Sequence, residues 1–179
     1  DIQVVGNGIN SVGFNPALIG PEPRMLDCPG PRLIFTGQMD YAPNIVAARR
    51  VMARILPFIR QDEPEATFHV VGRNPTSELL NYDGVDGCHV WGRVDDIRPW
   101  LKASDMAVVP LEIARGVQNK VLEAMAMGVP VVCTPAAAEG IEAEAGTQLV
   151  VAPFGEQGVP MAEAVLALLH DRERAQCIA

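Results

Sequence analysis

Several things are scarce in this chain. Its four cysteines, at 28, 88, 133 and 177, form no CxxC pair and no metal-knuckle spacing. Neither a disulfide framework nor a zinc module is therefore encoded, and a reduced cytosolic setting is the expectation. There are three serines, none in GxSxG, so the nucleophile elbow of a serine hydrolase is missing. No apolar run approaches the ~20 residues of a spanning helix, and no signal peptide is expected. Basic residues are outnumbered, with 14 Lys and Arg against 22 Asp and Glu and a net charge of -8. No basic stripe offers a face to DNA or RNA, so no nucleic-acid partner is expected. The first residue is Asp1 rather than Met, which suggests a piece of a longer or processed protein.

What remains is an ordinary globular composition, 49% hydrophobic and 20% charged over 179 residues. That length fits one α/β domain. Short apolar runs rich in Val and Ile recur at 2–5, 32–37, 67–72, 88–92, 105–111, 129–133 and 148–152. Most are continuous rather than alternating, the habit of parallel strands buried on both faces. Between them lie helical segments. Residues 43–61 open on Pro43 and repeat Ile45, Val46, Val51, Ile55, Leu56 and Ile59 at helical spacing. Residues 96–104 have Asp96 as an N-cap candidate. Residues 117–127 stop at Gly128 and Pro130. The last amphipathic run is 157–172.

Strand and helix in alternation predict an α/β, Rossmann-like, doubly wound parallel sheet. The expected domain boundaries are a leading strand and Pro/Gly-rich linker over 1–31, a core over 32–172 and a tail over 173–179. Ligands of such sheets bind beyond the carboxyl ends of the strands, which directs attention to the loops after 37, 72, 92, 110 and 134.

The most informative stretch is PLEIARGVQNKVLEAMAMGVPVV, 110–132. A strand ends, a loop carries Arg115 and Gly116, and a helix is predicted to start near Val117. Free amides and a partial positive charge at a helix start, with no Cβ at Gly116 and with Arg115 and Lys120 as cations, make a diphosphate site. Glu123 follows Lys120 by three residues, ~4.5 Å along the helix axis on about the same face. A carboxylate there can accept from both ribose hydroxyls. The competing reading is a surface ion pair between Lys120 and Glu123.

The phrases NKVLEAMAMGVPVV, FTGQMDYAPN (35–44), VVGRNP (70–75), VWGRVDDIRPWLKASDMAVVPL (90–111) and AAEGI (137–141) resemble, in that order, the family 4 type of retaining glycosyltransferases. The likeness covers about residues 4–170. MDY-x-PN and ARG-x-QNK look most like sugar transferases of exosortase and exopolysaccharide clusters. The resemblance implies the C-terminal, donor-binding half of a two-domain GT-B hexosyltransferase, inactive alone, with the N-terminal acceptor domain absent. The donor would be a UDP- or GDP-type nucleotide sugar, with no cofactor. Any membrane association, at the inner face, would come through the missing half.

By the same resemblance, Gly116, Val117 and Lys120 hold the diphosphate with Arg115, and Glu123 holds the ribose. Gly72, Arg73, Gly92 and Val94 form the base region. Gly37 and Glu112 are placed near the sugar, and Arg115 and Glu123 are the catalytic candidates. The sequence departs from the family twice. Arg115 stands where the first of two family glutamates falls, eight positions before Glu123, which puts sugar contacts in doubt. Gln38 and Pro43 stand where many members carry a phosphate-binding Arg and Lys, so Arg115 and Lys120 are expected to take over that charge. No aspartates are spaced DxD, which leaves a metal–diphosphate clamp without a candidate.

Other readings are weaker. VVGNGINS (4–11) has Gly6 and Gly8 of a dinucleotide fingerprint but Ser11 in place of the third glycine. Asp95 and Asp96 are adjacent and cannot straddle a glycosidic bond. A receiver domain would need an aspartate ending a central strand. His69 and His89 read as structural. Trp91 and Trp100 could stack a base, although Trp100 reads better as packing. Beside the transferase reading stand a non-catalytic nucleotide-binding or interaction domain of the same fold and a GT-B sugar-nucleotide epimerase.

Overall fold

The computed structural model describes residues 9, 10 and 12–179. The expected strand at 2–5 and the glycine-rich turn at 4–11 fall largely outside those residues. Six strands are formed: β1 Arg32–Thr36, β2 Thr67–Val71, β3 Cys88–Gly92, β4 Met106–Val109, β5 Val131–Cys133 and β6 Val150–Val151. Every pairing is parallel, in the order β3-β2-β1-β4-β5-β6. All residues of β2, β4 and β5 are buried, which requires cover on both faces and explains their unbroken apolarity. The chain leaves β1 in one direction and returns beside it as β4. The β1/β4 boundary is therefore the topological switch point, where neighbouring loops diverge and leave a crevice.

The first long helical segment runs as α2 Ala42–Arg50, a π turn over Val51–Ile55 and α3 Leu56–Ile59. Pro57 lies just inside α3. It has no N–H, and its ring would meet a carbonyl four residues back in a regular helix. In the π turn the amide of Leu56 reaches back to the carbonyl of Val51, so the backbone is widened just ahead of that residue. Further helices are α4 Ser77–Leu80, α5 Arg98–Ala103, α6 Asn119–Ala126, α7 Pro135–Ala138, α8 Val159–His170 and α9 Arg172–Ile178, with α1 Pro23–Leu26 ahead of the sheet. Gly128 closes α6 at φ 66°, the left-handed turn that glycine adopts without a Cβ penalty.

Three boundaries differ from the sequence reading. The stretch 18–31 is not only a linker. It holds α1, whose Met25 is fully buried, and the amide of Glu22 donates to the carbonyl of Pro99 in the first turn of α5. The tail 173–179 is instead helix α9, capped by the Asp171 carboxylate accepting from the Arg174 amide, with Ile178 buried. Helix α6 begins at Asn119, two residues beyond the predicted start. Asp96 does cap, but locally. Its carboxylate accepts from the Arg98 amide at 2.9 Å and grips the Arg98 guanidinium, while Ile97 stands at the cap position itself.

Candidate functional site

A cleft of about 820 Å³ opens at the carboxyl ends of β1, β2 and β3 and the start of α6. From β1 and its loop it takes Thr36, Gly37 and Gln38, and from the loops after β2 and β3 it takes Gly72, Arg73, Arg93 and Val94. Val117, Gln118, Asn119, Lys120 and Glu123 supply its other wall. A second hollow, of about 700 Å³, lies at the opposite, amino ends of the strands, around Arg32, Asp105 and Arg172. Only the first stands where a doubly wound sheet offers loop ends to a ligand.

The floor is set by two glycines. A Cβ on Gly72 would lie 1.6 Å from the carbonyl oxygen of Gly37, so the β1 and β2 ends approach as no larger residue allows. The loops above are then tied together. The amide of Met39 donates to the carbonyl of Arg73 at 2.8 Å, the guanidinium of Arg73 to Oε1 of Gln38 at 2.7 Å, and Asn74 to the Asp40 carboxylate at 3.0 Å.

Lys120 is the cation most enclosed by this frame. Its Nζ donates to Oδ1 of Asn44 at 2.5 Å and sits 4.4 Å from the centre of the Phe35 ring. Burial lowers its pKa to about 8, against a smaller opposing pull from Glu123. Burial likewise raises the pKa of Glu123, opposed by Lys120. Among the described residues no ion pair joins the two. The surface-pair reading therefore fails, and both groups face the cleft. The amides of Val117 to Lys120 donate to no backbone carbonyl among the described residues. The start of α6 thus presents free donors beside the ammonium.

Seven of the candidate site residues named from the sequence meet in this one cleft, Gly37, Gly72, Arg73, Val94, Val117, Lys120 and Glu123, together with Gln38. Gly92, Glu112, Arg115 and Gly116 do not line it. Glu112 instead pairs with Arg50 on α2 at 2.5 Å. Arg115 is exposed, because the later start of α6 leaves it four residues ahead of the first helical residue, out on the loop. Arg93, Gln118, Asn119, Tyr41 and Asn44 were missed. Their only signal was position, each lying within four residues of a strand end or a helix start. Trp91 is no free base platform, since its indole N–H donates to Nδ1 of His69 at 3.0 Å and its ring packs on Trp100. Among the described residues, no group of three or more His, Cys, Asp or Glu side chains is placed to hold a metal, and no helix is long and apolar enough to cross a membrane.

Fold and cleft together define a doubly wound α/β domain with its ligand crevice at the switch point. The sequence profile of the group 1 glycosyl transferases matches residues 30–171. The chain belongs to that family. It is 33% identical over 117 residues to TuaC of Bacillus subtilis (strain 168), which carries the name teichuronic acid biosynthesis glycosyltransferase. That match covers 63% of this chain and 27% of TuaC, so the chain spans about a quarter of that relative. In fold it is similar to the C-terminal domain of the group 1 family protein LpcC from Francisella tularensis. There the TM-score is 0.68 at 20% identity, with 96% of this chain and 92% of that one covered. It is also similar to Anabaena Alr3699/HepE, solved in complex with UDP, at TM-score 0.74 and 15% identity over 98% of this chain and 50% of that one. The architecture is the C-terminal half of a GT-B fold.

Proposed function

We propose that this cleft binds the donor of a sugar-transfer reaction, a nucleoside diphosphate sugar. The acceptor would be held by another part of the full-length protein, and the product would be a glycan or lipid-linked sugar of polysaccharide biosynthesis. One observation carries the reading. An enclosed ammonium, a run of free amides at a helix start and a carboxylate one turn further on converge on the switch point of the sheet. Lys120 and the amides at 117–120 meet the diphosphate charge that grows as the sugar leaves. Glu123 accepts from the ribose hydroxyls. The base lies toward Arg73, Arg93 and Val94. Arg115, exposed on its loop, is not needed for this arrangement. The complex of HepE with UDP, in a related fold, supports the same ligand class.

The test is calorimetric titration of the full-length protein with UDP, GDP, ADP, NAD and inorganic pyrophosphate. Binding of one nucleoside diphosphate, with NAD silent, is the expected result. NAD binding alone would replace the reading with a dinucleotide site.

A second reading is favoured by one observation. The loop after β4 brings no carboxylate to the cleft, since Glu112 is held by Arg50, and Arg115, which stands where the resemblance places the family's first glutamate, lies outside the lining. A nucleotide-binding domain without transfer activity would look the same. Sugar release from the bound donor by the full-length protein would exclude it.

A further inference from the structure

Lys120 reaches the cleft from α6, yet its ammonium lies at the carboxyl end of β1. A Cβ built on Gly37 would stand 3.1 Å from Nζ. What holds it there is a side chain of another helix. Asn44 is 7% exposed, and its carboxamide is used at both ends. Nδ2 donates to the carbonyl of Gln38 at 2.9 Å, and Oδ1 accepts from Lys120 at 2.5 Å. The orientation of the amide is unambiguous, because a carbonyl can only accept and an ammonium can only donate. The side chain of Gln38 in turn accepts from Arg73. A continuous chain of hydrogen bonds thus runs from the loop after β2, through the loop after β1 and through α2, to the cation on α6.

We propose that Asn44 is a positioning residue, whose carboxamide fixes the Lys120 ammonium at the end of β1 and locks the Gly37–Gln38 loop around it. This rests on the donor-site reading above and adds to it the residue that places the charge. Position is worth fixing, because a lysine is a point charge on a flexible stem and gains little from a phosphate it meets only part of the time. The site also makes the cation titratable in a useful range. The charged group facing Lys120 on its own helix is Glu123. From β1 it meets the uncharged Phe35 ring, from α2 the uncharged Asn44. Arg73 and Arg93 enter the cleft from the loops after β2 and β3. An amide acceptor stabilises the ammonium without cancelling its charge, whereas a carboxylate would do both.

The experiment is calorimetry of the full-length protein with the nucleoside diphosphate it binds, and with the matching nucleoside, between about pH 7 and about pH 9.5. In the wild type, diphosphate affinity should fall by about tenfold across that range, breaking near Lys120's pKa of about 8. Asn44→Ala should weaken the diphosphate by about tenfold at neutral pH and move the break to lower pH. Asn44→Asp should move the break to higher pH. Lys120→Arg should remove it, since guanidinium does not titrate there. Nucleoside affinity should stay within about twofold throughout, which reports an intact fold. Diphosphate affinity and break unchanged in both Asn44 variants would overturn the proposal while leaving the donor site standing. No diphosphate binding by the wild type would overturn the donor-site reading, and this inference with it.

Discussion

Two ionisable groups withdrawn from water in this domain have opposite characters. His69 in β2 is fully buried, and both ring nitrogens are engaged. The Trp91 indole N–H donates to Nδ1, so Nε2 carries the proton and donates to the Thr67 hydroxyl, which donates to the carbonyl of Pro29. His89 stacks on its ring at 5.0 Å. Burial holds the pKa of His69 down at about 3. Lys120 has three N–H donors and, among the described residues, one partner, with the cleft in front of it. The first group is finished by the protein. The second is left for something else to finish. Burial alone therefore does not distinguish the two groups; unused donors facing a cavity do.

That contrast can be broken or sharpened. The largest effect is expected from Gly72→Ala, whose new Cβ meets the Gly37 carbonyl and cannot be relieved by a rotamer change. It should cost at least about 3 kcal/mol in chemical denaturation and abolish ligand binding. Next comes acid. With the folded pKa of His69 near about 3, well below the 6.5 of the free side chain, the unfolded chain binds a proton that the folded one refuses. Stability is therefore full above pH 6.5 and falls as pH drops toward about 3, by up to about 1.4 kcal/mol per unit. His69→Gln should flatten that slope, read from urea midpoints at about pH 7, 6 and 5, and leave diphosphate binding unchanged. Lys120→Met should do the reverse, raising stability by about 1 kcal/mol at neutral pH and weakening the diphosphate by about tenfold. If both variants destabilise and both spare binding, the distinction between the two buried groups is wrong. The smallest effect belongs to Glu78→Ala, which removes an exposed pair with Arg49 and should shift stability by less than about 0.5 kcal/mol.

The architecture was legible because parallel strands buried on two faces leave a plain record. The runs at 32–37, 67–72, 88–92, 105–111, 129–133 and 148–152 each contain a strand. Short polar helices left less. α9 is built from RERAQCI, and its one clear signal is Asp171 as a cap. α1 is a single turn whose only buried residue is Met25. In the site, Lys120 and Glu123 could be placed by spacing along one helix. Arg115 was misplaced because two residues of extended loop before a helix are indistinguishable, in sequence, from its first turn. Asn44 was invisible for a different reason. Its partner is 76 positions away, and no periodicity reports a hydrogen bond between two helices.

The π turn at Val51–Ile55 has one more consequence. A π turn is what a helix looks like when it has absorbed a single extra residue. In a regular helix such a residue would turn everything on one side of it by about 100° against everything on the other, and the widened turn takes up that rotation locally. The half of this helix beyond the turn is fixed by packing, with Leu56 and Ile59 fully buried. The half before it carries Asn44. In the language of insertions and deletions, the turn can spare a residue only at Ala53 or Arg54, which face outward, since Val51, Met52 and Ile55 are buried. A change of length that no such turn took up would swing Asn44 by about 100° away from Lys120, so the aim of the cation depends on a length as much as on an identity.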